Sequence, residues 1–468
     1  MHSTYIIICK RDCPTCTLIE PVMAELMAHN RPLTIYTQDD PAFPALPGVV
    51  DDTDLEQSYR CNIEIVPTLI QMADGAEVAR TVGWDKATWR QMTGVAALGE
   101  ALPDMRPGCG AKNVEPGLAE KLAVRFGDAV LSARRIELAS LEDEMEACYE
   151  RGWSDGLPLV PPTEERVLKM LSGTNRSPAE IVGVIPPDGA ECTVEKVAIN
   201  AVMAGCKPEY LPVVLAAVEA ACLDEFCMHG LLATTWFSGP VVIVNGPVAK
   251  AIGMNAGVNA LGQGNRANAT IGRALQLVIR NVGGGRPGGV DRSCLGNPGK
   301  YTFCFAEREE DSPWESLAVE RGLAPADSAV TLFAGDGVQG IYDQRSRTPE
   351  ALTQTFAECL TAVAHPRAVQ ASDAVLVISP EHARIYREAG WSKARLRQEL
   401  DAQLMLPVNQ VWTRAERAGT SAERVAKFRP GGLHIVHAGG SAGMFSAIIG
   451  GWVASGAMGS VAVTQKIG

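Results

Sequence analysis

Basic excess is missing from this sequence. Lys and Arg number 42 against 54 Asp and Glu, a formal charge of −12 at pH 7. Nucleic acid and anionic membranes are therefore not expected as main partners, because both select for clustered positive charge. A charged leader is missing as well: Met1-His2-Ser3-Thr4 precedes only five apolar residues, too short and wrongly flanked for a secretory signal. The apolar stretch Ser446 to Val463 is interrupted by glycines and reads as a buried helix followed by a strand, not a membrane span. These absences lead us to expect a cytoplasmic location. In a reducing compartment most of the 13 cysteines should then be buried small hydrophobes or reactive thiols, not staples. With 468 residues, 46% hydrophobic and 21% charged, the chain has material for two or three ordinary globular domains.

One Cys-x-x-Cys is present, Cys13-Pro14-Thr15-Cys16, and no second one or His-x-x-x-His exists to complete a zinc site. It follows the apolar run Tyr5–Cys9 and precedes an amphipathic stretch from Leu18, an order that predicts strand, short loop and helix. A thiol at the first turn of a helix faces unpaired N–H groups and the positive end of the dipole, which stabilise its thiolate. A second thiol one turn later can resolve a mixed disulfide. Pro14 suits a first-turn position, where an N–H has no partner to lose. About fifty residues on, Glu64-Ile65-Val66-Pro67-Thr68-Leu69 leads into a strand. Ala73-Asp74-Gly75 between two strand-like runs signals a hairpin, and Trp84 to Met92 reads as a closing helix.

With this CxxC and the later Val-Pro-Thr, the stretch from Met1 to about Thr93 resembles the thioredoxin and glutaredoxin families. The resemblance implies Cys13 as attacking thiolate, Cys16 as resolving thiol and Pro67 as the cis-proline opposite them. There the backbone before the proline is left free to pair with a bound substrate chain. The expected architecture is thus α/β: a thioredoxin-like domain over 1–98, a linker and connecting helix over 99–152, and a larger α/β domain over 153–468. The larger domain should have a mixed or parallel sheet, with 153–325 and 326–468 as candidate lobes.

In the Pro/Gly-rich stretch 100–117, Cys109 lies between two glycines with Arg106 and Lys112 near. It is either an exposed, cation-acidified thiol able to take a disulfide from the first domain, or a linker cysteine with no task. Further on, Thr163 caps a predicted helix from Glu164, and Thr193–Met203 and Pro208–Cys222 read as apolar helices. Cys206, at their junction beside Gly205 and Lys207, is a candidate substrate-facing thiol. Cys222, Cys227 and His229 do not suggest a metal, because positions five apart on a continuous helix point apart.

Val241–Val244 reads as a strand running into Asn245-Gly246-Pro247. Beyond it the chain becomes dense in Gly, Asn and Arg between Met254 and Gly289. If Arg266 onward is helical, Arg266 and Arg273 share a face, and Asn265 or Asn268 caps the helix start. We read Asn245, Arg266, Asn268 and Arg273 as the wall of a pocket for a small anion. Tyr301–Glu307 is an alternating strand ending in the carboxylate Glu307, a candidate acid or base. In the last third, strand, loop and helix recur: Ser328–Ala334 is a strand before Gly335-Asp336-Gly337, Ala374–Ser379 one before Pro380, and Leu433–His437 one before Gly439–Gly443, with ligand groups expected where strands end. His382, just past a strand at a helix start, is a candidate acid or base, or equally a packed cap. Gly440 and Ser441, in Gly439-Gly440-Ser441-Ala442-Gly443, form a candidate anion nest.

From about Asp155 onward the chain resembles an uncharacterised group of bacterial proteins. The segments that carry the resemblance are Asp155-Gly-Leu-Pro-Leu-Val-Pro-Pro-Thr163, Val194–Cys206, Asn245-Gly246-Pro247, Arg266–Arg273 and Pro298–Thr302. The group looks related in context to proteins with selenol or thiol active sites, and it implies a fold more than a reaction.

The functional expectation is a thiol-dependent redox enzyme. Cys13 and Cys16 would relay reducing equivalents or sulfur from a cellular thiol reductant. The receiving group is a further thiol, Cys109 or Cys206, acting on a small anionic or sulfur-containing substrate. Alternatives are a non-redox lyase or transferase on a sulfur or organometal substrate, and a redox-sensing binding protein. Neither a cofactor nor a metal is expected, and a homo-oligomer is.

Overall fold

The structure, a computed structural model, describes residues 3–127, 131–138, 143–412, 423–453 and 459–468. It resolves into two compact units, Met1–Val130 and Leu131–Gly468. Each is α/β.

The first unit is built on β1 (Ser3–Cys9), whose Tyr5, Ile7, Ile8 and Cys9 are buried. The chain continues through α1 (Pro14–Leu18), α2 (Glu20–Ala28), β2 (Leu33–Thr37), β3 (Val50–Asp51) and α3 (Glu56–Arg60). The two helices form the crossover that a parallel β1/β2 pair requires. They are separate because Pro21 has no N–H to continue the ladder across Leu18–Glu20. Then come β4 (Ile65–Val66), β5 (Thr68–Ala73) and β6 (Ala76–Val82). The last two form the expected hairpin, closed by Asp74 and Gly75, both at positive φ as a two-residue turn demands. The main sheet runs β3-β2-β1-β5-β6, parallel on one side of β1 and antiparallel on the other. After β7 (Trp84–Asp85), α4 (Lys86–Thr93) starts on the Asp85 carboxylate and stops at Gly94 in the left-handed region.

Residues 99–127 are no free linker. β8 (Met105–Arg106) pairs with β7, β9 (Cys109–Gly110) pairs with β4, and α5 (Leu118–Phe126) contacts α3. The unit therefore ends at Val130 instead of residue 98.

The main sheet of the second unit is mixed, beside the two-stranded ladders Ile181–Ile185 with Ala190–Thr193 and Met405–Pro407 with Arg424–Ala426. Its order is Cys304–Ala306, Gly239–Asn245, Ala329–Tyr342, Phe445–Gly451, Ala374–Ile378, Leu433–His437, with Val463–Lys466 also paired to Ala329–Tyr342. Strand alternation covers both faces. Val242 and Val244 join the helices Val194–Ala204, Leu211–Ala221 and Arg266–Asn281 in one core, while Val241 and Ile243 join Phe305, Phe333 and Val377 in another. The helices Pro349–Thr361, Pro380–Glu388 and Lys393–Gln403 pack a third core with Leu376 and Ile435.

Three expectations are corrected. Residues 153–325 and 326–468 are not separate lobes, since strands from both halves are hydrogen-bonded into one sheet, Gly239–Asn245 pairing directly with Ala329–Tyr342. Gly335-Asp336-Gly337 does not end its strand; a register shift between Gly335 and Val338 lets the chain run on as a bulged fourteen-residue strand. Ser446 begins no helix, because Phe445–Gly451 is a strand inside the sheet, and the loop before it therefore joins strand to strand. Residues 454–458 of that stretch lie outside the described residues. Among the described residues no helix is long and apolar enough to cross a membrane.

Candidate functional site

Three thiols meet in the first unit. Cys13 is the N-cap of α1, with extended backbone and Pro14 as the first helical residue. The Cys16 backbone N–H donates to Cys13 Sγ at 3.4 Å, and that sulfur lies 3.5 Å from the Val66 carbonyl oxygen. Val66 pairs with Cys109 across the β4/β9 ladder, which brings the third thiol to the first. The Val66–Pro67 peptide is cis, and the Pro67 carbonyl accepts from the Gly83 N–H.

The electrostatics divide the three. The Cys16 thiol donates to Cys13, the Cys109 thiol donates to it too, and the N–H groups of Cys16 and Thr15 add to both. Together they outweigh burial and bring Cys13 down to about 5. Cys16 is fully buried and goes the other way, held protonated by desolvation and by donating to Cys13. Cys109 is raised by its hydrogen bond to Cys13. The arrangement is one thiolate served by two thiol donors, a nucleophile with proton-bearing sulfurs on two sides. Among the described residues no group of three His, Cys, Asp or Glu is placed to hold a metal ion.

The second-unit candidates have other occupations. Arg273 forms a bidentate pair with Asp155 at 2.8 Å and donates to the carbonyls of Leu157 and Pro158. It fastens the Asp155–Pro158 turn and has no fork left for an anion. Asn268 is buried and spends its amide on Asn255 and Ala260 backbone. Arg266 begins the helix Arg266–Asn281 as expected, with Asn265 as its cap, and its Nε donates to the Gly205 carbonyl. Cys206 is buried, donates to the Thr270 carbonyl and is pushed up to about 12, so it is a packed thiol and not a nucleophile. His382 is completely buried between Ser446 Oγ (2.7 Å) and the Asp343 carbonyl (3.0 Å), and burial lowers it. It ties a helix to the sheet.

Asn245 and Glu307 do come together. Asn245 Nδ2 donates to Glu307 Oε2 at 2.7 Å and to Glu309 Oε1 at 2.8 Å, while the Leu317 and His437 N–H groups complete Glu307. Burial raises Glu307, and it acts as a buried acceptor joining three strand ends. The Gly440–Ser441 loop lies nearby through Arg308, whose Nη1 donates to the Gly439 carbonyl. Gly439–Gly443 also spells Gly-x-Ser-x-Gly, the spacing of a nucleophile elbow. The strand-to-strand context is wrong for one, however, and Ser441 is exposed with no histidine bonded to it among the described residues. Cys222 and Cys227 do not share a helix either: the helix stops at Ala221, and Cys227 is left-handed at φ 53.

What sequence reasoning missed is at the other end of the helix Arg266–Asn281. A cavity of about 830 Å³ opens there, lined by Asn281, Lys196, Arg134, Arg135, Arg151 and Arg286, with Cys148 and Trp153 on its apolar side. Of its carboxylates, Glu195 accepts from Ser132 and Ala133, Glu164 pairs with Arg135, and Glu144 lies within 3.9 Å of Arg166. Among the described lining residues, Arg134, Arg135, Arg151, Lys196 and Arg286 outnumber Glu144, Glu164 and Glu195. Asn281 Oδ1 and the Nε of neighbouring Arg280 are buried without partners, and burial together with the Arg286 guanidinium lowers Arg280. The signal was present in the glycine-rich loop Gly283-Gly284-Gly285-Arg286. Gly284, at φ 75, turns where any Cβ would strike the Asp188 carboxylate.

Comparison of the chain with family models, with curated proteins and with solved structures returns no match.

Proposed function

We propose that this chain is a thiol-dependent oxidoreductase whose first unit is a thioredoxin-like dithiol module and whose second unit binds a small anionic or sulfur-containing substrate. The observation that carries the reading is the placement of Cys13. Its sulfur caps a helix, accepts the Cys16 N–H and lies against the Val66 carbonyl just before Pro67. A thiolate so placed attacks one sulfur of a disulfide, breaking its S–S bond and releasing the other sulfur as a thiolate that takes a proton from solvent. Cys16 then gives up its proton and attacks Cys13 Sγ, forming the Cys13–Cys16 bond and displacing the second thiolate, which takes that proton. Burial of Cys16 keeps it protonated until that second step.

In the second unit the cavity beside Arg286 and Lys196 replaces the Arg266–Asn268–Arg273 wall as substrate site. The chemistry is assigned to the first unit and the substrate class to the charge of this cavity.

The test uses bis(2-hydroxyethyl) disulfide with reduced glutathione as probe pair. Wild-type protein should turn it over, and C13S should lose at least about a hundredfold, as expected for removal of a nucleophile. Unchanged turnover in C13S, or none in the wild type, sinks the proposal.

A further inference from the structure

The groove beside Cys13 is already filled by its own chain. Cys13 is 1% exposed, and residues 103–113 are what lie across it. Trp84 Nε1 donates to the Pro103 carbonyl at 2.7 Å, β8 pairs with Trp84–Asp85, and Thr15 Oγ1 donates to the Pro107 carbonyl at 2.6 Å. β9 then forms an antiparallel ladder with Ile65–Val66, continued by the Ala111 N–H to the Glu64 carbonyl at 2.9 Å. Lys112 and Asn113 fasten the far end to Gln38 and to the Ile63 carbonyl. Gly108 has to be glycine at the closest approach, since a Cβ there would meet Ile65 Cγ2 at 2.4 Å and the Val66 oxygen at 2.6 Å. An extended segment paired to the residue before Pro67, with a cysteine opposite the attacking sulfur, has the form of a bound disulfide substrate.

We propose that residues 103–113 are a tethered substrate strand and that Cys109 is the in-chain disulfide partner of Cys13. The inference rests on the dithiol reading above and names the first partner of that same site. Starting from a Cys13–Cys16 disulfide, the Cys109 thiolate attacks Cys13 Sγ. The Cys13–Cys16 bond breaks, Cys16 leaves as thiolate and takes up the proton Cys109 gave up, and no net oxidation occurs. Starting from three thiols, a low-molecular-weight disulfide is the oxidant. Cys13 displaces one of its thiols, Cys109 attacks Cys13 and displaces the second, and two thiols are released for one protein disulfide formed. An external substrate reaches Cys13 only when the strand lifts, so the module idles on itself until a competitor displaces it.

Full-length protein is treated with oxidised glutathione, free thiols are blocked, and disulfide-linked peptides are mapped by mass spectrometry. In C16S we expect a Cys13–Cys109 linked peptide and little glutathione on Cys13. In the C16S/C109S double variant, glutathione should stay on Cys13. A C16S protein that keeps glutathione on Cys13 with Cys109 free overturns the tethered-strand proposal while leaving the dithiol reading intact. A Cys13 that forms neither adduct nor disulfide in any variant overturns both. As a second measurement, Gly108→Ala should lift the strand and speed alkylation of Cys13 in the reduced protein by about tenfold or more. An unchanged rate would mean that the strand does not gate the sulfur.

Discussion

At the scale of single residues the decisive contrast is between sulfurs of one chemical kind. Cys13, Cys16 and Cys206 are all buried, yet Cys13 is drawn down to about 5 and Cys206 is pushed up to about 12. Burial raises all three, and only Cys13 has thiol and N–H donors enough to reverse it. The sign of the pH dependence follows. A lowered thiol is reactive above its own pKa, so alkylation of Cys13 should be level from neutral pH down to about 6. It should then fall roughly tenfold per unit below about 5. Cys16→Ala removes the foremost donor, and the midpoint should move up by about one unit or more. Site-resolved iodoacetamide kinetics would read both, and a midpoint near the ordinary thiol value in the wild type would refute the assignment. CxxC spacing made Cys13 and Cys16 legible from sequence. It could not reveal Cys109 as their neighbour, because that contact depends on a ladder between Val66 and a residue more than forty positions later.

Among elements, the helix Arg266–Asn281 shows how far pattern reading carries and where it stops. Its start, its Asn265 cap and the shared face of Arg266 and Arg273 were all readable from residue spacing. Which residues its arginines serve was not, since Asp155 lies more than a hundred positions away. At 1.5 Å per residue the helix is about 24 Å long, and the cavity lies at the end opposite the one its arginine-asparagine run advertised. Arg273→Ala should therefore behave as a structural change. It strands a mostly buried carboxylate and two carbonyls, at a cost of about 2–4 kcal/mol, and lowers the denaturation midpoint of the second unit without altering substrate affinity. A raised KM with unchanged stability would return Arg273 to the binding site. The same logic misled the reading of Gly335-Asp336-Gly337 and Gly439–Gly443. Glycines signal special backbone, and a bulge or a strand-to-strand bend satisfies them as well as a turn into a helix does.

For the whole molecule, composition and the alternation of strand-like and helix-like runs were enough to indicate α/β units; in the front one the first strand, the helix after Cys13, the hairpin and the helix before Gly94 were legible, while Glu56–Arg60 and the elements of 105–126 were not. The boundary was misplaced because a Pro/Gly-rich stretch looks the same in sequence whether it swings free or is laced to a neighbour by Trp84, Thr15 and Gln38. Truncation would show the difference. A fragment of residues 1–130 should fold and form the Cys13 disulfides. One ending at residue 98 should expose Cys13 and the Trp84 side, raising its alkylation rate and lowering its thermal midpoint by several degrees, as loss of about 1–2 kcal/mol from a small domain does. Equal midpoints for the two fragments would argue that residues 99–127 contribute nothing to the unit.

The pairing of Val463–Lys466 with Ala329–Leu332 sets a timetable for synthesis. Ala329–Tyr342 leaves the ribosome with Gly239–Asn245 already made, but its Val463–Lys466 neighbour has not yet been translated. During that interval a long, apolar strand lies open on one side, in need of a chaperone or of speed. The front unit is spared this wait, since every strand it needs has emerged by residue 110. Newborn chains should therefore bring Cys13, Cys16 and Cys109 together well before the sheet of the second unit can close.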